Sequence, residues 1–222
     1  MKRTKQFAVI GLGRFGTSVA TTLHKMGYEV LAIDNDGERV QEFSNEVTHV
    51  VQADTTDEDT LKALGIRNFD VVIVAIGADV QGNILTTLQL KELGVPYIVA
   101  KASNKLHGKM LEKLGADRVV YPERDMGQRV AHNLVSSTVM DYIELSPNLN
   151  IMEISVPQAI VGKTLAETNL REKYEINVVA IKRGDDIIVP PLPSEQIIAH
   201  DILVVVGSIK GIQRLEELTW SI

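Results

Sequence analysis

The residues best suited to chemistry lie between Gln6 and Asp34. The turn Gly11-Leu12-Gly13-Arg14-Phe15-Gly16 follows the apolar run Phe7-Ala8-Val9-Ile10, which reads as a buried parallel strand. The turn opens an amphipathic helix over about Arg14 to Met26, ended by Gly27. A second strand, Glu29 to Ile33, then delivers Asp34. Gly11 permits the tight strand-to-helix turn, Gly13 lets backbone approach a phosphate, and Gly16 lets helix and strand pack closely. Free N–H groups and the positive end of the helix dipole attract an anion there. Asp34, at the carboxyl end of the second strand, is placed to accept hydrogen bonds from ribose hydroxyls. The chemistry this pattern supports is the binding of a nucleotide.

Further charged residues fall at other strand ends. Arg14 is a long cation in the first helical turn, slightly unfavourable beside the positive dipole end; it reads either as a solvated surface arginine or as a contact to a ligand with more negative charge than a pyrophosphate diester, such as a terminal triphosphate. Asp54, followed by Thr55, reads either as a helix cap or as a contact to adenine or ribose. Lys101 ends the fifth strand, where it complements phosphate charge or sits in water. Glu123 opens a helix beyond the sixth strand, where its carboxylate meets the dipole and is also near enough to the ligand edge to hold a cation on phosphates. Ala75, Ile76 and Gly77, where the fourth strand breaks, complete the candidate site.

A nicotinamide-linked dehydrogenase is the obvious reading of such a glycine turn, and an oxidoreductase or redox sensor stays as the alternative. It would need a proton donor, a substrate anchor and a dry cleft. The five histidines are scattered, the one Tyr-x-x-x-Lys spacing (Tyr97 to Lys101) runs along an expected strand rather than a helix face, no His-rich metal cluster is present, and neither flank of the sheet has a helix-turn-helix. The expected chain is therefore not an enzyme, and no catalytic residue is assigned.

Composition narrows the classes further. With 222 residues and 45% hydrophobic side chains, a proper core is expected and disorder is not. A net charge of -6 argues against a nucleic-acid-coating surface. The absence of cysteine excludes disulfides, thiolate catalysis and thiolate-held metal, and suits a reducing cytosol. The apolar runs Val71 to Ile76 and Ile202 to Val206 are far too short to span a bilayer, so a soluble protein is expected.

The elements that must position these residues alternate strictly. Strands are expected at Val47 to Val51, Val71 to Ala75, Tyr97 to Ala100 and Val119 to Tyr121. Helices are expected at Glu38 to Ser44, Asp57 to Leu64, Asn83 to Leu93 and Leu106 to Leu114, several stopped by glycine. That alternation implies a Rossmann-like, doubly wound parallel α/β sheet over residues 1–122. Residues 123–149 read as a helix, Glu123 to Ser136, with Met126, Val130, Leu134 and Val135 along one side, and a connector through Met140-Asp141-Tyr142-Ile143. Such an apolar face suits packing on another subunit or folding back on its own sheet. Residues 150–222 read as a small α+β module. It holds a strand from Ile151 to Val156, one helix from Leu165 to Tyr174, a hairpin turning at Gly184-Asp185-Asp186, a strand from Ile202 to Val206 and a helix from Ile209 to Leu218.

Together, Phe7 to Gly16, Asp34, Val72 to Gly77, Lys91-Glu92-Leu93-Gly94 and Tyr121-Pro122-Glu123-Arg124-Asp125-Met126-Gly127 resemble the RCK (regulator of potassium conductance) subunits of Ktr-type bacterial potassium-uptake systems. The resemblance covers essentially the whole chain, and the C-terminal module resembles the RCK-C (TrkA-C) domain. It implies a homodimer assembling into an octameric ring on the cytoplasmic face of a membrane-embedded potassium transporter, and so a cytoplasmic protein peripheral to the membrane. It also implies binding of ATP or ADP, with NAD(H) possible, ATP favouring and ADP disfavouring uptake. By matching positions, Gly11, Gly13 and Gly16 hold phosphates, Asp34 the ribose, and Arg14 the terminal phosphate of a neighbouring subunit's ATP. Glu123 joins a divalent cation, Mg²⁺ or Ca²⁺. In the C-terminal module the resemblance implies inhibition by cyclic di-AMP through Arg171, Asn177 and Pro193, with Leu165 and Ile176 as apolar neighbours. Thr17 and Ser18 depart from the family pattern, which often has a further glycine there.

Overall fold

The computed structural model describes residues 5–135, 139–146 and 149–216. The chain divides into two units, one ending at Arg124 and the other starting at Asp125.

The first unit alternates strands and helices in chain order. These are β1 (Gln6–Ile10), α1 (Arg14–Lys25), β2 (Glu29–Asp34), α2 (Gly37–Phe43), β3 (His49–Gln52), α3 (Glu58–Ala63), β4 (Val71–Val74), α4 (Val80–Glu92), β5 (Ile98–Lys101), α5 (Lys105–Lys113) and β6 (Arg118–Val120). All strand pairings are parallel and the order is β3-β2-β1-β4-β5-β6, as the alternation predicts. Successive strand residues feed opposite faces. Ile10, Ile33, Val74 and Ile98 pack with Leu61, Leu90 and Leu111 on one side, while Val9, Ala32 and Ile73 pack with Leu12, Ala20 and Phe43 on the other. A sheet covered on both faces explains why its strands are continuously apolar. Chain direction around the sheet reverses between β1 and β4, which is where an open α/β sheet leaves a crevice beyond its carboxyl ends.

The turn after β1 is built from two glycines in contact. Gly11 has φ +97°, its N–H donates to the Ile33 carbonyl at 2.7 Å, and a side chain there would press on the Ala75–Ile76 backbone. A Cβ on Gly16 would overlap the Gly11 carbonyl oxygen itself. Helix α1 therefore sits as close to the strand as a helix can.

The second unit carries an antiparallel sheet ordered β10-β9-β11-β8-β7, formed by β7 (Val139–Ser146), β8 (Leu149–Ser155), β9 (Asn177–Arg183), β10 (Asp186–Ile188) and β11 (Ile202–Gly207). Helices α6 (Pro122–Val135), α7 (Leu165–Thr168), α8 (Leu170–Tyr174) and α9 (Ile209–Glu216) complete the chain, α6 spanning the division between the units. The core gathers Met152, Ile154, Ile176, Ile181, Ile197, Leu203 and Val205. Two expectations need correction. The stretch 140–143 is no connector: it lies within β7, whose backbone pairs antiparallel with β8, Tyr142 opposite Met152 and Ile143 opposite Ile151. The single helix expected from Leu165 to Tyr174 is two, because Asn169 adopts a left-handed conformation (φ 50°) that closes α7 and opens α8. Along α6, Met126, Val130 and Leu134 are exposed in the single chain. The expected helix ends at Ser136 and at residues 217–218 lie outside the described residues. Among those described, no helix is long and apolar enough to cross a membrane.

The Gly11–Gly16 contact yields a direct test. Gly16→Ala should lower the unfolding free energy by about 2–3 kcal/mol, because the clash is with backbone and cannot be relieved by a rotamer change. Urea unfolding followed by circular dichroism measures it, and wild-type stability would mean α1 can shift away from the turn.

Candidate functional site

A cavity of about 450 Å³ opens beyond the carboxyl ends of the first unit's strands. Of the residues singled out from the sequence, it brings together Gly11, Gly13, Arg14, Phe15, Asp34, Asp54, Thr55, Ala75, Ile76, Gly77, Lys101 and Glu123. Gly16 alone does not line it, since it lies beneath the turn against Gly11.

The turn is held in shape by Asp34. This carboxylate is only 6% exposed. Its Oδ2 accepts from the Leu12 N–H at 2.6 Å and its Oδ1 from the Asp36 N–H at 2.9 Å. Asp34 thus anchors the glycine turn to β2 as well as facing the cavity. Helix α1 begins at Gly13, which has no side chain to cap it, whereas α2 to α5 are capped by Asp36, Asp57, Asp79 and Asn104. Thr17 Oγ1 donates to the Gly13 carbonyl at 3.0 Å, so this departure tightens the first turn without entering the cavity. The first N–H groups of α1 are consequently left for a ligand.

Charges ring the cavity. The Arg14 side chain has no hydrogen-bond or ion-pair partner among the described residues. Lys101 Nζ lies 2.6 Å from Glu123 Oε1. That hydrogen bond from Lys101 holds the Glu123 carboxyl below the usual carboxylate range. Asp54 Oδ1 accepts from the backbone N–H and the hydroxyl of Thr56 at 2.9 and 2.7 Å, a local turn; the helix cap expected of it belongs instead to Asp57, three residues on, at the start of α3. Thr55 is buried and its hydroxyl pairs with that of Thr86, so it borders the cavity through a side chain already engaged.

Three contributors went unseen in the sequence. Asn83, fully buried, donates from Nδ2 to the carbonyls of Ile76 and Lys101 at 2.7 and 3.1 Å and so ties the ends of β4 and β5 together. Arg39 sits 3.6 Å from Asp34 and 3.5 Å from Asp36. Asp79 caps α4 and faces the cavity. An Asp-x-x-x-Asn pattern just after a strand-breaking glycine was the available signal for the last of these and for Asn83. Among the described residues, no group of three or more His, Asp or Glu could hold a metal. Glu123 is a single carboxylate at the rim, and its observed partner is Lys101.

A second cavity, about 330 Å³, lies in the second unit. It is lined by all five residues assigned there from the sequence: Leu165, Arg171, Ile176, Asn177 and Pro193. Pro191, Thr168, Asn169 and Glu172 were not foreseen. The side chains of Arg171 and Asn177 have no partner among the described residues, so both are available to a ligand. Pro191 and Pro193 belong to a strap between β10 and β11. The strap is sewn to α7 by Leu165 N–H to Glu195 O (3.0 Å) and Ala166 N–H to Pro193 O (2.9 Å). On its other side, Arg183 reaches Glu195 Oε1 at 3.1 Å and the Gln196 carbonyl at 2.8 Å. Arg183 also pairs bidentately with Asp201, both bonds 3.0 Å. Asp201 is 1% exposed, and burial alone would raise its carboxyl. The Arg183 bonds and the Ile198 N–H outweigh that and hold it below the ordinary aspartate value of 3.8.

Because the folded value is depressed, the Arg183–Asp201 contribution is complete at neutral pH and disappears as pH falls through that lowered value. Arg183→Met should cost about 3 kcal/mol at pH 7 by stranding a buried carboxylate, and should move acid unfolding of the second unit to higher pH. Circular dichroism across a pH series reads both. An unmoved acid limb would show that Asp201 is held by its backbone bond instead.

Known protein families match both units. The TrkA-N domain family matches residues 7–122 and the TrkA-C domain family residues 151–219. The chain is 53% identical over 213 residues to Ktr system potassium uptake protein C of Bacillus subtilis (strain 168), covering 96% of each. It is 48% identical over 214 residues to Ktr system potassium uptake protein A of the same strain, again covering 96% of each. Among solved structures, the GsuK channel bound to NAD aligns with all of this chain and 39% of its own, at TM-score 0.54 and 27% identity. GsuK bound to ADP aligns with 60% of this chain and 34% of its own, at TM-score 0.51 and 30% identity. The chain thus spans well under half the length of those channel chains. The chain belongs to the TrkA-N/TrkA-C family of Ktr-type potassium-uptake proteins.

Proposed function

We propose that this chain is the nucleotide-sensing regulatory subunit of a Ktr-type potassium-uptake system. The first cavity takes ATP or ADP, and the second takes cyclic di-AMP, which lowers uptake. The observation that carries the reading is the uncapped start of α1 beside Asp34, with an unpartnered Arg14 and a lysine at the same rim. Such an arrangement recognises a sugar followed by phosphates. GsuK structures with ADP and with NAD, at comparable likeness, support an adenine nucleotide without choosing between them.

Discrimination between ATP and ADP requires contacts made only with the third phosphate, since a ligand shifts an equilibrium solely through differential affinity. Arg14 is the candidate within the chain. A divalent cation on Glu123 would neutralise charge between phosphates. Copies of the chain assemble as dimers and then as an octameric ring on the cytoplasmic face of a membrane-embedded transporter, and the exposed Met126, Val130 and Leu134 of α6 offer an apolar subunit contact. In the second cavity, Arg171 pairs with phosphate, Asn177 hydrogen-bonds and Pro193 packs on a base.

Isothermal titration with ATP, ADP, NADH and cyclic di-AMP, with and without Mg²⁺, tests the reading. Arg14→Ala should bring ATP and ADP affinities together, and Arg171→Ala should weaken cyclic di-AMP about tenfold or more while leaving ATP untouched. Binding of NADH alone, with no response to ATP or ADP, would make the redox-sensor alternative correct.

A further inference from the structure

Among the three cations lining the first cavity, two are already engaged. Arg39 lies against Asp34 and Asp36, and Lys101 lies against Glu123, whereas Arg14 has no partner among the described residues. The two members of the Lys101–Glu123 pair differ in freedom. The Lys101 side chain is 13% exposed and that of Glu123 is 70% exposed. Lysine is held from below and behind: Asn83 fixes its backbone carbonyl, and its Nζ crosses Gly77 so closely that a Cβ there would stand 3.2 Å away. Glu123, in the first turn of α6, can rotate into water at little cost. Any exchange of partners therefore leaves the ammonium in place and moves the carboxylate.

From this geometry we infer that Glu123 is a built-in competitor for Lys101, which a ligand phosphate must displace to bind. The inference rests on the reading of this cavity as an adenine-nucleotide site. A terminal phosphate carries up to two negative charges and three acceptor oxygens against the carboxylate's one charge, so it wins the contest. Yet every ligand touching Lys101 pays the same toll. The pair lowers affinity for nucleotides as a class, which keeps bound nucleotide exchangeable with the pool in solution. A sensor of nucleotide balance needs that property, and a tight cofactor site does not.

The inference makes an unusual prediction for removal of a carboxylate from a site that also suits a cation. With EDTA present, Glu123→Gln should bind ATP and ADP about fivefold more tightly than wild type, and adenosine equally well. Lys101→Met should weaken ATP and ADP. The double variant should bind them as Lys101→Met does, within about twofold, because the carboxylate acts through the lysine. Titration calorimetry on the full chain reads all four proteins, with thermal melting to verify that each is folded. Two results overturn the inference: Glu123→Gln no tighter than wild type, or the same gain from Glu123→Gln in the Lys101→Met background, which would make Glu123 a simple repulsive charge. If wild type binds no adenine nucleotide at all, the reading of the cavity fails first, and separately.

Discussion

The bond from the Leu12 N–H to the Asp34 carboxylate, 2.6 Å long and almost fully buried, ties the glycine turn to the neighbouring strand, and much of the first unit depends on it. It requires that β1 and β2 lie side by side, that the turn be tight enough for Gly11 to take φ +97°, and that α1 begin directly above. A buried carboxylate is costly unless its oxygens are satisfied. Here the backbone N–H groups of Leu12 and Asp36 and the nearby Arg39 supply that satisfaction. The carboxylate that lines the cavity is thus the one that shapes the glycine turn.

The second unit solves a similar problem with different means. Its cavity has one wall on short helices and another on a proline-rich strap with little regular structure of its own. Arg183 compensates, reaching from β9 to Asp201, Glu195 and the Gln196 carbonyl. A guanidinium suits this task because its donors are fixed in a plane and can bind several acceptors at once. The strap's placement is therefore set by charge and hydrogen bonding, whereas the first cavity is shaped mainly by close backbone packing.

Much of this was legible in the amino-acid order because it is local. Glycine spacing, the acid at the end of β2 and apolar strand runs each report on a single turn or element, and the parallel order of six strands follows from their alternation with helices. The residues assigned to the second cavity rested on family resemblance, yet they do line one pocket. What stayed hidden depends on contacts distant in sequence. Strand β7 is defined by pairing with β8, and its own residues read equally well as a connector. Asn83 and Arg39 matter through carbonyls and carboxylates brought near by the sheet, and Asn169 breaks a helix by a conformation that many asparagines never adopt.

The bare beginning of α1 has a meaning for folding as well as for binding. Helices α2 to α5 carry an aspartate or asparagine that satisfies their first amides, so each is finished by the chain itself. Helix α1 is left incomplete at Gly13. A phosphate seated on those amides does for α1 what an aspartate does for its neighbours, and the ligand becomes the missing cap of the fold. Occupancy of those amides and local order of the turn would then rise and fall together.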